Sequence, residues 1–196
     1  MVFDLINGAC WSVVYITAII VGVKHKTWCI PKLSIFLNLS WEVLIVITRL
    51  ANHNFNLLSF WIQLVWLLLD IGVLLTWILY EKREASFKKI LFDIILFCVS
   101  FSLMFLMAYL LDKWELAAYL INLIMSCAFV VRAVKKPGKW QSRLIAICKL
   151  AGTLAATILS GFILREYFLL WLGGLCLLFD IWYVIMLRQP CNEFDL

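Results

Sequence analysis

Seven runs of about 20 apolar residues follow one another along this chain, with only short polar segments between them. We place the runs at residues 5–23, 31–49, 57–79, 89–111, 116–134, 143–164 and 167–187. A helix of this length crosses the ~30 Å hydrocarbon core of a bilayer, because each residue adds about 1.5 Å. With 65% hydrophobic and 15% charged residues, little of the 196-residue chain is left for a soluble domain. The sequence predicts an all-α membrane protein, a single seven-helix transmembrane domain over residues 1–196.

Basic residues are concentrated in alternate loops, which predicts the orientation in the membrane. The loops after spans 1, 3 and 5 and the C-terminal end hold Lys24, Lys26, Lys32, Lys82, Arg83, Lys88, Lys89, Arg132, Lys135, Lys136, Lys139, Arg143 and Arg188. The opposite side has only Arg49, Lys113 and Arg165. By the positive-inside rule we expect a multi-pass membrane protein with its N-terminus outside and its C-terminus in the cytoplasm. The net charge of +5 then reflects contact with anionic membrane lipid rather than a nucleic-acid partner.

Three acidic residues lie deep inside these apolar runs: Glu42, Asp70 and Asp180. A charged side chain at the centre of a membrane helix costs roughly 3 kcal/mol to insert, so each acid should face the protein interior. Counted along their helices, all three lie between the midplane and the cytoplasmic side. We therefore expect one shared polar cavity that opens toward the cytoplasm. A different acid, Asp93, lies near the cytoplasmic end of span 4, where we expect it to meet Lys89 one turn away.

Such a cavity can carry acid chemistry. Like charges in an apolar pocket repel each other, so at least one carboxyl should be neutral and able to donate a proton. Asn38, one helical turn before Glu42, is placed to orient it or to tune its proton. Aromatic residues near the acids could line the cavity, namely Trp41, Trp66, Trp77, Trp182 and Tyr183. Their π faces can stabilise a cation, although Trp and Tyr also form belts at membrane interfaces.

Two motifs resemble a known family. Asn38-Leu39-Ser40-Trp41-Glu42 is similar to the N-x-x-W-E motif in the second helix of the membrane-integral terpene cyclases of fungal indole-diterpene and meroterpenoid pathways. The segment Phe179-Asp180-Ile181-Trp182-Tyr183 resembles that family's D-x-x-Y motif in the last helix. The resemblance runs through nearly the whole chain in span order. This chain is shorter than the fungal pattern and looks like a compact, bacterial member.

The resemblance implies a membrane-bound terpene cyclase in which Glu42 and Asp180 are the catalytic acids. It implies proton-initiated cyclisation of a linear isoprenoid or prenylated substrate, at an epoxide, at a plain alkene or on a different lipid. Asp70 is a supporting residue, with Asn38 and the aromatic residues named above. The sequence holds no DDxxD or DxDD motif, which counts against a soluble-type cyclase that ionises a diphosphate or uses an Asp-rich acid. Its seven cysteines show no metal-ligand spacing, and we expect a reaction that needs neither a metal nor a cofactor.

A small seven-helix transporter or binding protein with a polar midplane site is the alternative. Spans 3 and 7 match at Trp61/Trp171, Leu67/Leu177, Leu68/Leu178, Asp70/Asp180 and Ile71/Ile181, and the loops ending in Trp28 and Trp140 also correspond. This pattern suggests two parallel three-helix units joined by span 4, as found in transporters. Lys149 in span 6 can either snorkel to the headgroups or pair with an interior acid. Asn122 and Ser126 share one face of span 5 and can form interhelical hydrogen bonds.

Overall fold

A computed structural model describes residues 2–53, 58–81, 86–135 and 141–187. Within these ranges the elements are α1 (Val2–Lys24), α2 (Lys32–Ala51), α3 (Leu58–Tyr80), α4 (Phe87–Phe105), α5 (Trp114–Lys135), α6 (Arg143–Ile158) and α7 (Tyr167–Met186). Two of them continue in a π-helical turn, α4 over Leu106–Leu110 and α6 over Leu159–Ile163. All seven are long and apolar enough to cross a membrane, which confirms the predicted fold class.

Some of the predictions fall on residues that the structure does not describe. The residues concerned are Lys82, Arg83, Lys136, Lys139, Trp140 and Arg188, all outside the described ranges. The correspondence between the loops ending in Trp28 and Trp140 and the orientation of the termini therefore stay predictions.

The packing of the helices follows the repeat suggested by the sequence. Helix α3 packs against both α1 and α2, and α7 packs in the same way against both α5 and α6. Between the two units, α1 packs on α6 and α2 packs on α5, while α4 lies against α2. This arrangement agrees with two three-helix units joined by α4. Under such a repeat, the α1–α6 and α2–α5 interfaces are equivalent to each other.

Small residues allow close approach at two of these interfaces. A Cβ atom added to Gly152 would lie 3.1 Å from Trp11 Nε1 and 3.3 Å from Cys10 Cβ, so α6 and α1 are nearly in backbone contact. A Cβ atom on Gly173 of α7 would lie 2.9 Å from Thr157 Cβ of α6. Small residues at helix interfaces are the usual way for membrane helices to gain packing contacts, because lipid supplies no hydrophobic drive between them.

The interior of the bundle holds the charged groups that the apolar helices carry. Glu42 is 3% exposed, Asp70 and Asp180 are each 1% exposed, and Lys149 is fully buried. The expectation that the three deep acids face the interior is confirmed. It also follows that Lys149 does not snorkel to the headgroups, since its side chain does not reach the surface.

The ion pair expected for Asp93 is wrong. Its Oδ1 lies 2.6 Å from Lys32 Nζ at the start of α2, whereas Lys89 lies 3.9 Å from Glu81. The prediction considered only neighbours within one helix. In the bundle α4 packs on α2. The side chain of Asp93 is 7% exposed and pairs with a cation on that neighbouring helix.

Candidate active site

A cavity of about 140 Å³ lies between the inner faces of α1, α2, α3, α5 and α6. It is lined by Asn7, Trp11, Tyr15, Asn38, Trp41, Glu42, Trp66, Ala118, Tyr119, Ile121, Asn122, Met125 and Ala156. The walls combine aromatic rings with one carboxyl group and three amides. Polar groups converging in an apolar, concave site are the usual sign of a binding or catalytic pocket.

Glu42 supplies the carboxyl group of this lining. Its Oε2 atom is buried and has no hydrogen-bond partner among the described residues. The neighbouring Trp41 lines the same cavity and packs against Trp114, with 5.4 Å between ring centroids. A buried carboxyl oxygen without a partner costs free energy in either protonation state, which makes Glu42 a candidate for a chemical role.

Asn38, one helical turn before Glu42, connects Asp70 with Tyr15. Its Nδ2 donates to Asp70 Oδ2 at 2.7 Å, and it also donates to the hydroxyl of Tyr15. Both amide hydrogens are therefore used, so the N–H groups of Asn38 are not available to orient Glu42, which was one of the two roles we expected for it. Asp70 and Glu42 are close enough to interact electrostatically. The first half of the bundle thus holds two carboxyl groups, an amide and a phenol together.

Asp180 lies in a separate polar cluster. Its Oδ1 accepts a hydrogen bond from Lys149 Nζ at 2.7 Å, and its Oδ2 accepts one from Thr153 Oγ1 at 2.8 Å. Lys149 also donates to Ser126 Oγ at 2.6 Å and to Asn122 Oδ1 at 2.9 Å, so all three of its N–H groups are satisfied. The interhelical role expected for Asn122 and Ser126 is confirmed.

The three acids therefore do not share one cavity. Glu42 lines it. Asp70 does not line it but is hydrogen-bonded to the lining residue Asn38, and Asp180 is absent from the described lining. The physical reason is Lys149, since a buried ammonium without a counter-charge is strongly unfavourable and Asp180 is its partner. Glu42 and Asp180, which we expected to share one cavity, therefore lie in separate clusters, one in each half of the bundle.

Asn122 connects the second cluster to the cavity. It lines the cavity, accepts the hydrogen bond from Lys149 on Oδ1 and donates to Thr153 Oγ1 at 3.1 Å. Lys149 Nζ also lies 5.6 Å from the ring centroid of Trp11, another lining residue. The Lys149–Asp180 pair thus fixes two elements of the cavity wall without lining the cavity itself.

The structure separates the expected aromatic residues into three environments. Trp41 and Trp66 line the cavity, and Trp66 Nε1 is held by Ser12 Oγ at 3.1 Å. Trp77 and Tyr183 are buried away from the described lining, Trp77 edge-on to Phe36 and Tyr183 against Phe129. Trp182 is 50% exposed on the outer surface of the bundle. This position is not that of a cavity residue, contrary to our expectation.

The two polar clusters are related by the repeat. Equivalent pairs are Tyr15 with Ser126, Asn38 with Lys149 and Glu42 with Thr153, all at one sequence offset, and Asp70 with Asp180 at an offset one residue shorter. In each half the α2 or α6 residue donates to the aspartate of α3 or α7, and also to a hydroxyl of α1 or α5. The two halves therefore share a hydrogen-bonding geometry and differ in the charge of the residue that donates, Asn38 or Lys149.

Several lining residues were missed from the sequence. They are Asn7, Trp11, Tyr15, Ala118, Tyr119, Ile121, Met125 and Ala156, together with Thr153 in the second cluster. The repeat contains a sequence signal for Tyr15 and Thr153. It becomes visible when α1 is aligned on α5 and α2 on α6, in addition to α3 on α7. The other lining positions depend on how the two units dock.

The cavity extends from the middle of the bundle into the half away from the basic loops, and its lining residues Tyr15 and Asn38 lie nearer to the basic-loop ends of their helices. Asn7, Ala118 and Ala156 line it, and each is nearer to the end of its helix that is opposite those loops. We expected a position toward the basic, cytoplasmic side. The side on which the cavity opens stays a prediction. Within the described ranges, no three His, Cys, Asp or Glu side chains form a group that could hold a metal ion.

Comparison with known proteins identifies the family. The family model for Pyr4-like transmembrane terpene cyclases matches residues 1–112, more than half of the 196 residues. The matched segment contains α1 to α4, and with them Glu42, Asn38 and Asp70. No curated protein and no solved structure matches the chain. The chain belongs to the Pyr4-like transmembrane terpene cyclase family.

Proposed function

We propose that the protein cyclises a linear isoprenoid or prenylated lipid by protonating it, with Glu42 as the proton donor. The observation that carries this proposal is the position of Glu42, whose Oε2 is buried without a described partner in a cavity with five aromatic residues. A carboxylic acid beside aromatic walls supplies what a carbocation reaction needs, a proton to start it and π faces to stabilise the charge.

Glu42 is a better candidate for the first proton than Asp180. Both oxygens of Asp180 accept hydrogen bonds, and the group lies outside the described lining of the cavity. We assign Asp180 a positioning role, because through Lys149 and Thr153 it holds Asn122 at the cavity wall. The resemblance named both acids as catalytic, and the geometry supports a division of labour between them.

The reaction changes the bonds of the substrate but not its elemental composition. Glu42 gives its proton to the terminal alkene carbon or the epoxide oxygen of the substrate, and a carbocation forms. Double bonds of the chain attack this centre in turn and close the rings, while the π faces of Trp11, Tyr15, Trp41, Trp66 and Tyr119 stabilise the positive charge. Loss of a proton to a carboxylate or water ends the cascade. The product is an isomer of the substrate, and none of these steps uses a metal or a cofactor.

The size of the cavity suggests how the substrate binds. Its volume of about 140 Å³ is smaller than the ~300–1,000 Å³ of typical ligand pockets. The cavity therefore encloses the reacting end of the chain, and the remainder lies between the helices or in the bilayer. A lipophilic substrate that is already dissolved in the membrane fits this arrangement.

Cyclisation in deuterium oxide tests the proposal. Membranes containing the protein are incubated with linear prenylated alkenes and their terminal epoxides, and the products are analysed by mass spectrometry. Protonation of an alkene carbon leaves one deuterium in a stable C–D bond, so the product is one mass unit heavier than in ordinary water. Protonation of an epoxide oxygen leaves the deuterium on a hydroxyl, from which it exchanges away.

Both positive outcomes give a product with fewer double bonds and, in ordinary water, an unchanged mass. The Glu42→Gln variant is the control, because its amide cannot donate a proton as an acid does. Recovery of the substrates unchanged from the wild-type membranes would contradict the proposal. Movement of the unchanged substrate from one membrane face to the other would favour the transporter alternative.

A further inference from the structure

A second concave site lies on the outer surface of the bundle, where α2 begins beside α5. This groove has a volume of about 690 Å³. It is lined by Trp28, Pro31, Lys32, Leu33, Leu123, Ile124, Cys127, Ala128, Val131, Arg132 and Lys135. Most of the wall is apolar, and the three basic residues of the lining lie at the basic-loop ends of the two helices.

The groove is distinct from the cavity that holds Glu42. On α5, Asn122 and Met125 line the cavity, whereas Leu123 and Ile124 line the groove. These residues point in different directions, because successive positions of an α-helix are turned by about 100°. Helix α5 therefore stands between the two sites, and the groove faces the surrounding lipid.

Positive charge is in excess at the basic end of the groove. Arg132 donates to the backbone carbonyls of Cys29 and Trp28 and stacks over the Trp28 ring at 4.3 Å, and its other guanidinium N–H groups have no partner among the described residues. Lys32 is paired with Asp93 at 2.6 Å. Lys135 is exposed. Three cations around one acid favour a negatively charged ligand.

The length of the groove fits one leaflet of a bilayer. From Lys135 to Leu123 the wall runs along about 18 Å of α5 at 1.5 Å per residue. Half of a bilayer core is ~15 Å thick. A ligand with an anionic group at Lys135 and an apolar chain toward Leu123 would therefore span the groove from the headgroup region to the midplane.

We propose that this groove binds an anionic phospholipid, with its phosphate at Lys135, Arg132 and Lys32 and one acyl chain along the apolar wall. Basic pockets between membrane helices on the cytoplasmic side bind anionic headgroups, and anionic lipids are concentrated in that leaflet. The apolar wall favours a lipid over free phosphate, because free phosphate has no apolar part that could contact it. The bound lipid braces α2 against α5, the two helices that carry Glu42 and Asn122.

The repeat supplies an internal comparison. The α1–α6 interface is equivalent to the α2–α5 interface, but there Trp11 packs closely on Gly152. Lys24 at the end of α1 is the repeat equivalent of Lys135 at the end of α5, and it is also exposed. Lys24 is not part of the groove lining, so it is a matched control with the same charge at the same end of the bundle.

Native mass spectrometry on delipidated, detergent-solubilised protein tests the proposal. The full chain is titrated with dioleoyl phosphatidylglycerol or with the zwitterionic dioleoyl phosphatidylcholine. We expect one phosphatidylglycerol to be retained preferentially, and inorganic phosphate not to displace it. Lys135→Gln should weaken the retention about fivefold, the effect of one basic residue near a membrane surface, while Lys24→Gln leaves it unchanged.

A second variant tests the apolar wall. Ala128→Phe fills the groove and should abolish preferential retention, whereas Val99→Phe, on the exposed surface of α4, should not. Equal retention of the two lipids by the wild type would overturn the proposal, as would equal losses in Lys135→Gln and Lys24→Gln. Since no substrate is present, these results are independent of whether Glu42 performs the proposed chemistry.

Discussion

Asn38 and Lys149 hold equivalent positions in the two halves of the bundle, and each donates a 2.7 Å hydrogen bond to an aspartate of the neighbouring helix. The difference between them is charge. Among the described residues, no cation is in hydrogen-bond contact with the carboxyl groups of Asp70 and Glu42, while Lys149 provides one for Asp180. We infer that the first half carries the proton chemistry and the second half a fixed ion pair that supports the cavity wall.

The first prediction concerns this ion pair. Asp180→Asn should destabilise the protein by about 3–5 kcal/mol, because it leaves the buried ammonium of Lys149 without a counter-charge. Lys149→Met should cost a similar amount for the opposite reason. The double variant should recover a large part of the loss, since no uncompensated charge remains. Thermal unfolding in detergent measures all three variants.

Two results of this double-mutant comparison would contradict the ion pair. Destabilisations that simply add in the double variant would show that the two side chains do not depend on each other. A wild-type melting temperature for both single variants would contradict the buried ion pair altogether.

The second prediction concerns the contact between α6 and α7. Gly173→Ala should destabilise the bundle by about 1–3 kcal/mol, because the new methyl group overlaps the side chain of Thr157. The next residue, Gly174, has no atom within 4 Å of an added Cβ. Gly174→Ala should therefore be neutral, or more stable by up to about 1 kcal/mol through helix propensity. Equal melting temperatures for the two variants would contradict the packing described here.

The third prediction separates aromatic residues of the cavity from those on the lipid-facing surface. Trp66→Leu should lower kcat by about 2- to 30-fold, since it removes a π face worth about 0.5–2 kcal/mol to a cation. Trp182 is 50% exposed on the outside, and Trp182→Leu should leave kcat within about twofold. Product analysis of both variants on one substrate is the measurement. A larger loss in Trp182→Leu than in Trp66→Leu would place the reaction elsewhere in the bundle.

Much of the fold was accessible from the sequence, because length and apolarity alone define membrane-spanning helices. The burial of Glu42, Asp70 and Asp180 followed from the cost of a charge in lipid. Helical periodicity also explains one error. Trp182 lies two residues, or about 200°, beyond the buried Asp180 and so faces outward, while Tyr183 returns to the interior.

The partners of the acids could not be predicted from the sequence in the same way. Asp93 and Asp180 each pair with a lysine on a different helix, and which helix faces which is decided when the bundle packs. The aligned pair of Asp70 and Asp180 already suggested a repeat. With the offset lengthened by one residue, aligning α2 on α6 brings Asn38 onto Lys149, so the contact of Asn38 with Asp70 has a counterpart in the contact of Lys149 with Asp180.

The central claim is that Glu42 donates the proton that starts cyclisation. Its most direct test is the rate of product formation by purified Glu42→Gln in lipid nanodiscs, compared with wild type and with Gly174→Ala as a neutral substitution. The amide keeps the size of the side chain and removes the acid, so the fold should persist and the rate should fall at least about 10²- to 10⁴-fold. Turnover at the wild-type rate by folded Glu42→Gln would contradict the account.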